Sequence, residues 1–323
     1  MSQTRAPSPH PRPAPGQRPS PAVVAAYRYC VTVAGQHARN FSYGARLMPG
    51  PRRDALSALY AFARRVDDAG DDGTLHPGAK EQRLADARAL VARVRAGEVA
   101  EDDTDPVAVA LADAARRHPV PLDALDELID GVLMDVRGEH YETWDDLRLY
   151  CRRVAGTIGR LSLGVFGVRP GARQADRAPA YANTLGLALQ VTNILRDIRE
   201  DAQGGRVYLP AEDLRKFGCP EDPDGLRVPP RGADFGGLVR FEARRARELF
   251  AEGYLLLPML DRRSAACVAA MAGIYHRLLD RIEAEPAAVL RGRVALPAAS
   301  KAAVALRALT GVDARRVARG RWT

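Results

Sequence analysis

The segment Leu185–Asp201 constrains the fold more than any other part of this sequence, because its polar residues recur with the period of an α-helix. Four of them, at positions i, i+3, i+7 and i+11, are Gln190, Asn193, Asp197 and Asp201. Since a helix turns by about 100° per residue, their side chains share an arc of about 80°. This downstream stripe borders apolar residues such as Val191 and Ile194 instead of lying opposite them, as it would on an ordinary surface helix. The pattern predicts a helix that carries oxygen ligands along the edge of a protein core.

An upstream stripe of equal length has a similar pattern. Its members, at i, i+4, i+7 and i+11, are Tyr60, Arg64, Asp67 and Asp71. On a helix these side chains share an arc of about 60°. Further aspartates extend the run to Asp72, and neighbouring like charges repel one another. Either stripe alone is compatible with a solvated helix end or with a site for a hard cation such as Mg²⁺, which prefers oxygen ligands.

Two such stripes in one helical chain favour the cation. If the two helices face each other, their carboxylates can hold divalent ions that bind a diphosphate and stabilise the negative charge it acquires on leaving. Arg64 and Arg196 supply fixed positive charge suited to phosphate oxygens. An apolar helical bundle beneath them would accommodate a hydrophobic tail. The combination predicts chemistry that begins with the ionisation of a prenyl diphosphate.

The composition argues against several other classes of protein. The net charge of +8 comes almost entirely from arginine, interleaved with acidic residues as in Arg240–Glu248, which is typical of a salt-bridged helix surface and is weak evidence for nucleic-acid binding. The four cysteines are far apart and form neither a disulfide framework nor a zinc-ligand pattern. The sequence contains no Gly-x-Gly-x-x-Gly or P-loop motif, and no apolar run approaches the ~18 residues of a membrane-spanning helix.

We expect one all-α domain over residues 22–310, because helical periodicity recurs throughout and strands do not alternate with helices. Residues 1–21, rich in proline and arginine, are predicted to be a disordered leader, and residues 311–323 a basic tail. The predicted helices span 23–38, 52–68, 81–96, 105–118, 122–137, 144–166, 178–201, 238–260, 264–284 and 299–310, with a long surface loop at 219–236. Gly156, Gly159 and Gly164 indicate either close helix packing or room for a ligand inside the bundle.

Four blocks of the sequence resemble the squalene/phytoene synthase family of head-to-head prenyl transferases. They are Ala58–Asp68 with Asp71, Tyr150–Gly159, Leu185–Asp201 and Gly205–Pro210. The resemblance covers roughly residues 22–310. It implies a single-domain, isoprenoid-synthase-type helical bundle around a central hydrophobic cavity, with the two acidic helices facing each other at the mouth.

The resemblance also implies roles for individual residues. The catalytic residues would be Asp67, Asp71, Asp197, Asp201 and Tyr150. The ligands of two or three Mg²⁺ ions, with Mn²⁺ as an alternative, would be Asp67, Asp71, Asn193, Asp197 and Asp201. The substrate contacts would be Phe41, Tyr60, Arg64, Gln190, Asn193, Arg196, Arg206, Tyr208 and Tyr275. Two departures stand out: Ala38 and Asn40 occupy positions where members often have serine, and Gly70 replaces an aliphatic residue and is expected to loosen its helix.

Within the family, Gly159–Gly167 and Leu260–Tyr275 look most like bacterial presqualene diphosphate synthases of the squalene and hopanoid pathways. The implied reaction is the Mg²⁺-dependent condensation of two farnesyl diphosphates to presqualene diphosphate. A phytoene synthase, which joins two geranylgeranyl diphosphates, is the runner-up, and a hydroxysqualene synthase ranks third. A non-catalytic prenyl-binding protein or a basic nucleic-acid-binding helical protein is the alternative from another class. We expect prenyl diphosphates as partners, no nucleic acid, and a cytoplasmic location; peripheral membrane contact and contact with downstream pathway enzymes stay open.

Overall fold

The computed structural model describes residues 18–37 and 44–318 of the chain. Every regular element within these ranges is helical and no β-strand occurs there, which confirms the predicted all-α fold. The α-helices in chain order are α1 (Pro21–His37), α2 (Gly50–Asp71), α3 (Pro77–Ala96), α4 (Pro106–Arg117), α5 (Asp123–Val136), α6 (Trp144–Cys151), α7 (Thr157–Phe166), α8 (Ala178–Gln203), α9 (Ala211–Lys216), α10 (Pro223–Arg227), α11 (Phe235–Gly253), α12 (Arg262–Ala284), α13 (Ala288–Arg291), α14 (Ala298–Leu309) and α15 (Val312–Ala318). A π-helical turn spans Arg152–Gly156, and 3₁₀ turns span Ala175–Arg177 and Tyr254–Met259.

Two predicted helices change geometry along their length. The predicted helix 144–166 is divided by the π turn between α6 and α7, an irregularity that often marks a functional site. The predicted helix 238–260 is α-helical only as far as Gly253 and continues as a 3₁₀ turn that contains Pro258. Proline has no amide hydrogen to donate, so an α-helix does not pass this position undisturbed. The loop predicted at 219–236 contains the short helix α10, which is capped by the side chain of Asp222.

Some sequence predictions concern residues outside the described ranges. Phe41, Ala38 and Asn40 all fall within 38–43, and most of the predicted leader falls within 1–17. The described part of the predicted tail forms α15, which packs against the 3₁₀ turn Tyr254–Met259. No helix in the described ranges combines the length and the apolar character needed to cross a membrane.

Helix α8 lies at the centre of the bundle and carries the downstream stripe. It packs against α7, the π turn, α11 and α12. Its first turn contains Pro179, a residue that suits a helix start because no amide hydrogen is needed there. After the helix ends, the φ of +77° at Gly205 reverses the chain, so that the amide of Arg206 donates to the carbonyl of Asp201. This turn places Arg206 beside the last carboxylate of the stripe.

Glycines let α8 approach the helix that precedes it. A Cβ atom on Gly159 would lie 2.1 Å from the carbonyl oxygen of Ala182, and one on Gly186 would lie 2.3 Å from that of Ala155. No larger residue fits at either position without a backbone shift. Both glycines also line the cavity described below. At Gly159, one of the three glycines for which the sequence left two roles open, close packing and a place in the cavity wall occur together.

Gly70, which was expected to loosen its helix, does not interrupt it. Helix α2 continues through Gly70 to Asp71, and the glycine is buried against α5. A Cβ atom at this position would lie 2.5 Å from Cγ1 of Val132. The absent side chain therefore lets α2 and α5 pack closely at the level of the upstream stripe.

Candidate active site

An apolar cavity of about 240 Å³ lies between α7, α8, α12 and the 3₁₀ turn Tyr254–Met259. Its walls are mainly aliphatic and aromatic, and the polar side chains that line it are Ser162, Gln190, Asn193 and Tyr275. Gln190 and Asn193 are the first two members of the downstream stripe. Asp197 and Asp201 follow one and two turns further along the same helix, so the carboxylates lie beyond the polar end of the cavity. This is the central hydrophobic cavity that the resemblance implies.

A larger cleft, of about 780 Å³, lies between α1, α2 and α3. It includes Arg64 and Asp68, which lie in the region of the upstream stripe, but its lining is charged where that of the smaller cavity is apolar. Several arginines line it, and they are neutralised by neighbouring carboxylates: Arg65 by Asp105, Arg83 by Asp72 and Arg93 by Asp103. A hydrophobic tail finds no continuous apolar wall among these ion pairs, so we place the tail in the smaller cavity.

Arg206 joins the two stripes. Helix α2, which carries the upstream stripe, packs against α1, α4 and α5, α8 packs against α11 and α12, and both helices contact α7. Arg206 follows α8, and its Nη1 atom lies 3.1 Å from Oδ1 of Asp71 at the end of α2. This ion pair links the C-terminal end of α2 to the segment that follows α8.

One carboxylate from each stripe is held in an unfavourable environment for its charge. Burial, with the neighbouring charge of Asp71, raises the pKa of Asp67 to about 7 against the opposing effect of Arg64. Burial, with the charge of Asp197, raises the pKa of Asp201 to about 7 against the opposing effect of Arg206. Crowded, partly desolvated carboxylates of this kind are stabilised when a cation binds between them.

Asp197 is held by two arginines. Arg196 donates from Nε to Oδ1 of Asp197 at 2.7 Å and makes a second contact to Oδ2. Arg293, in the segment after α13, places Nε 3.1 Å from the same Oδ1 atom and also approaches Glu200. Sequence reasoning missed Arg293, because it stands alone in a short connection and no spacing relates it to the stripe. Both guanidinium groups are placed to contact a diphosphate bound at Asp197.

The remaining predicted substrate contacts connect α2, α8 and α12. Tyr275 lines the cavity and lies near enough to Arg196 to raise the pKa of its guanidinium group, which links the cavity wall to the downstream stripe. Burial raises the pKa of Tyr60, and the Tyr275 hydroxyl is near enough to raise it further. Arg64 forms an ion pair with Asp68, while its Nε atom is buried and has no hydrogen-bond partner in the described structure. Tyr60, Arg64 and Tyr275 therefore lie around the same entrance.

Tyr150 and Tyr208 meet at a carboxylate that the sequence analysis missed. The hydroxyl of Tyr150 donates to Oδ2 of Asp135 at 2.9 Å, and that of Tyr208 donates to Oδ1 at 2.8 Å. Tyr150 is buried, but it does not belong to the cavity wall. Asp135 follows the buried residues Leu128 and Val132 at helical spacing, and a carboxylate on an apolar face was the signal that could have identified it.

The donor set fits a divalent cation. The Oδ1 atom of Asn193 is buried and finds no hydrogen-bond partner in the described residues, as expected of an oxygen that serves as a ligand. No three Asp, Glu, His or Cys side chains of these residues converge into a complete cage. Mg²⁺ is commonly held by one or two carboxylates together with substrate phosphates, so a bound diphosphate would supply the other ligands.

A helical bundle with two acidic helices beside the polar end of an apolar cavity defines an isoprenoid-synthase-type protein. The family model for squalene/phytoene synthases matches residues 34–300. The chain belongs to the squalene/phytoene synthase family, whose members are head-to-head prenyl transferases that depend on divalent metal ions, and it is an enzyme of this general kind.

Individual relatives support the assignment. A phytoene synthase of Mycobacterium tuberculosis is 46% identical over 293 residues, which cover 88% of this chain and 90% of that protein. A 15-cis-phytoene synthase of Synechocystis is 35% identical over 298 residues, which cover 90% of this chain and 86% of that one. The structure of the squalene synthase HpnC from Alicyclobacillus acidocaldarius gives a TM-score of 0.71 at 30% identity, covering 81% of this chain and 95% of that one. A dehydrosqualene synthase with a TM-score of 0.77 at 24% identity, covering 90% of this chain and 97% of that one, shares the fold.

Proposed function

We propose that the protein condenses two geranylgeranyl diphosphates head to head and releases phytoene. The observation that carries this choice is the 46% identity, over most of both chains, to a relative named phytoene synthase. The second candidate is the condensation of two farnesyl diphosphates to presqualene diphosphate. It is supported by the sequence of Gly159–Gly167 and by the likeness to a squalene synthase structure at 30% identity. Both reactions begin with the same ionisation and differ in chain length and in the final step.

The two ends of the site divide the work of binding. The prenyl tails occupy the apolar cavity, whose walls exclude water from a reactive cation. The diphosphates lie beyond its polar end, where Arg206, Arg293 and Arg196 offer charge-assisted hydrogen bonds. Asp67, Asp71, Asn193, Asp197 and Asp201 would hold two or three Mg²⁺ ions, or Mn²⁺ in their place. When bound, the metal supplies Lewis-acid stabilisation of the charge that develops on a departing diphosphate.

The reaction proceeds from one ionised substrate. Loss of diphosphate leaves an allylic cation, the 2,3 double bond of the second substrate attacks it, and loss of a proton closes a cyclopropane. For farnesyl substrates this step gives presqualene diphosphate. For geranylgeranyl substrates, the cyclopropyl diphosphate loses its diphosphate, rearranges and loses a second proton, which gives the C40 hydrocarbon. No reductant is consumed in either sequence.

The contacts of Tyr150 favour a released diphosphate oxygen over this tyrosine as the base. Burial, with the charge of Asp135, raises the pKa of Tyr150 well above its usual value, so its phenolate is not available near neutral pH. The phenol proton of Tyr150 is also already donated to Asp135. The diphosphate that has just left stays near the cation and carries several unprotonated oxygens.

One experiment distinguishes the two substrates. Purified protein with Mg²⁺ is incubated separately with farnesyl and geranylgeranyl diphosphate, without NADPH, and the products are identified by mass. We expect phytoene and two diphosphates per turnover from the C20 substrate. Presqualene diphosphate from the C15 substrate as the main product would support the second candidate. Absence of diphosphate release from both substrates, by folded protein with Mg²⁺, would refute prenyl transfer. We also predict peripheral membrane contact, because the product is a lipid.

A further inference from the structure

A group of three side chains, of which Tyr150 is buried and the other two are half-buried, lies next to both stripes. Asp135, Tyr150 and Tyr208, here called the Asp135 triad, come from α5, α6 and the connection between α8 and α9. The rings of Tyr150 and Tyr208 stack with centroids 5.2 Å apart, and Tyr141 stacks on Tyr208 at 6.1 Å. The triad therefore joins two helices and a connecting segment through side-chain contacts.

The direction of the hydrogen bonds limits what the tyrosines can do. A phenol has one proton to donate, and an ionised carboxylate only accepts. Both phenol protons of the triad are donated to the two oxygens of Asp135. While these bonds persist, neither hydroxyl can donate to a diphosphate. Tyr208, predicted from the sequence as a substrate contact, thus has its hydroxyl group bonded to Asp135.

Tyr208 lies two residues after Arg206, the residue that spans the stripes. Arg206 contacts Asp71 of α2, and the charge of Asp135 acts on Arg206 as well. Asp135 also raises the pKa of Asp67 and of Asp201, so it lies near a carboxylate of each stripe. The hydrogen bond from Tyr208 to Asp135 therefore restrains the segment that contains Arg206, the residue that contacts Asp71.

We propose that Asp135 is a positioning residue for prenyl transfer: acting through the hydroxyl of Tyr208, it holds Arg206 across the ends of α2 and α8. Asp135 does not touch the reacting atoms. The inference rests on the proposed prenyl-diphosphate chemistry, because Arg206 is the group that would contact the leaving diphosphate. Without the anchor, Arg206 and Asp71 lose their fixed separation, and a misplacement of about 1 Å at such a site lowers turnover by up to about 100-fold.

A double-mutant cycle tests the proposal. The variants are Asp135→Asn, Tyr208→Phe and the double variant, each assayed for diphosphate release with Mg²⁺. We expect each single change to lower kcat by about 10- to 100-fold, and the double variant to resemble the single ones, because both remove the same link. If the effects of the two changes multiply, or if Tyr208→Phe has the rate of the unmodified protein, Asp135 does not act through Tyr208 and the proposal is overturned.

Matched controls separate positioning from general packing. Asp130→Asn makes the same change on the same helix, where the carboxylate pairs with Arg88 at 2.6 Å away from the triad. Tyr141→Phe removes a hydroxyl from the same aromatic group, one that donates no hydrogen bond to Asp135 in the described structure. Both controls should keep their rates. If Asp135→Asn does not fold, the comparison of Tyr208→Phe with Tyr141→Phe decides: equal rates overturn the proposal, and a loss confined to Tyr208→Phe supports it.

A second readout does not require turnover. The affinity of each variant for Mg²⁺ with inorganic pyrophosphate is measured by calorimetry, and we expect the same non-additive loss. If the unmodified protein binds Mg²⁺-pyrophosphate but turns over neither prenyl substrate, the proposed function fails. The double-mutant cycle, measured as binding affinity, still decides the role of Asp135 in that case. Additive losses of affinity overturn the positioning role whatever the substrate.

Discussion

At the scale of single residues, the carboxylates around the cavity entrance differ in how their charge is balanced. Asp197 accepts contacts from Arg196 and Arg293, so its charge is compensated before any ligand arrives. Asp67 is half-buried beside Asp71, and its raised pKa indicates that its charge is poorly compensated. A bound cation should therefore interact most favourably with Asp67, and a bound diphosphate should interact most favourably with the arginines beside Asp197.

Replacement of Asp67 by asparagine should lower the rate of diphosphate release by at least about 100-fold, because the stabilisation of a developing charge is lost. The fold should survive, since the change removes a half-buried charge that is unfavourable without a cation. Asp72→Asn is the matched control in the same acidic run, where the carboxylate bonds Thr74 and Arg83 instead. Both variants are assayed with Mg²⁺ and melted by circular dichroism. Full activity of a folded Asp67→Asn protein would contradict the role of the upstream stripe.

At the scale of helices, α9 and α11 are joined by a buried cluster with one positive charge for two carboxylates. Arg245 donates to Oε1 of Glu242 at 2.7 Å and also contacts Asp213. The Oε2 atom of Glu242 is buried and has no hydrogen-bond partner among the described residues. Burial raises the pKa of Glu242 to about 8, Arg245 opposes this, and Asp213 adds to it. We therefore expect Glu242 to be protonated in the folded protein at neutral pH.

This proton makes stability depend on pH with a definite sign. Between the unfolded pKa near 4.5 and the folded pKa near 8, the folded state holds a proton that the unfolded state has released. The contribution of Glu242 to the free energy of unfolding therefore falls as pH rises, by up to about 1.4 kcal/mol per pH unit. Glu242→Gln resembles the protonated form, so it should gain stability relative to the unmodified protein between pH 5 and pH 8.

Urea unfolding at several pH values measures this difference. Glu248→Gln, an exposed change on the same helix, should show no such trend. The groups that face Glu242 are Asp213, Arg245 and Cys151, and Cys151 stays a neutral thiol because burial raises its pKa. Parallel pH profiles for Glu242→Gln and the unmodified protein would show that Glu242 is ionised in the folded state.

The helices were predictable because their signal is local. Apolar periodicity and a proline near a helix start are read within a few turns, so the limits of α8 differ from the predicted 178–201 by two residues. The π turn at Arg152–Gly156 was not predictable, since it depends on how tightly α8 packs against it. Arg293 was missed for the same reason, because its partner Asp197 is distant in sequence and packing alone brings them together. Asp135 did leave a local signal, a carboxylate on an apolar helix face, but its tyrosine partners lie on other elements.

At the scale of the whole molecule, the cavity and the acidic entrance belong to different parts of the bundle but share α8. Gln190 and Asn193 line the cavity, and Asp197 and Asp201 carry the same face onward to Arg206. A prenyl diphosphate that binds along α8 would thus have its tail among apolar walls and its diphosphate at the carboxylates. The choice between C15 and C20 then depends on how much room the walls leave.

Narrowing the cavity should therefore change substrate choice. Ala272 of α12 lines the cavity, and a leucine there would occupy space that the longer tail needs. Since one methylene in an apolar pocket is worth about 10- to 200-fold in discrimination, Ala272→Leu should lower the C20-to-C15 rate ratio by at least about tenfold. Ala270→Leu is the control, because Ala270 is equally buried on the same helix but does not line the cavity. Overpacking disturbs both variants, so a ratio that falls equally in both would mean that the tail does not lie along this wall.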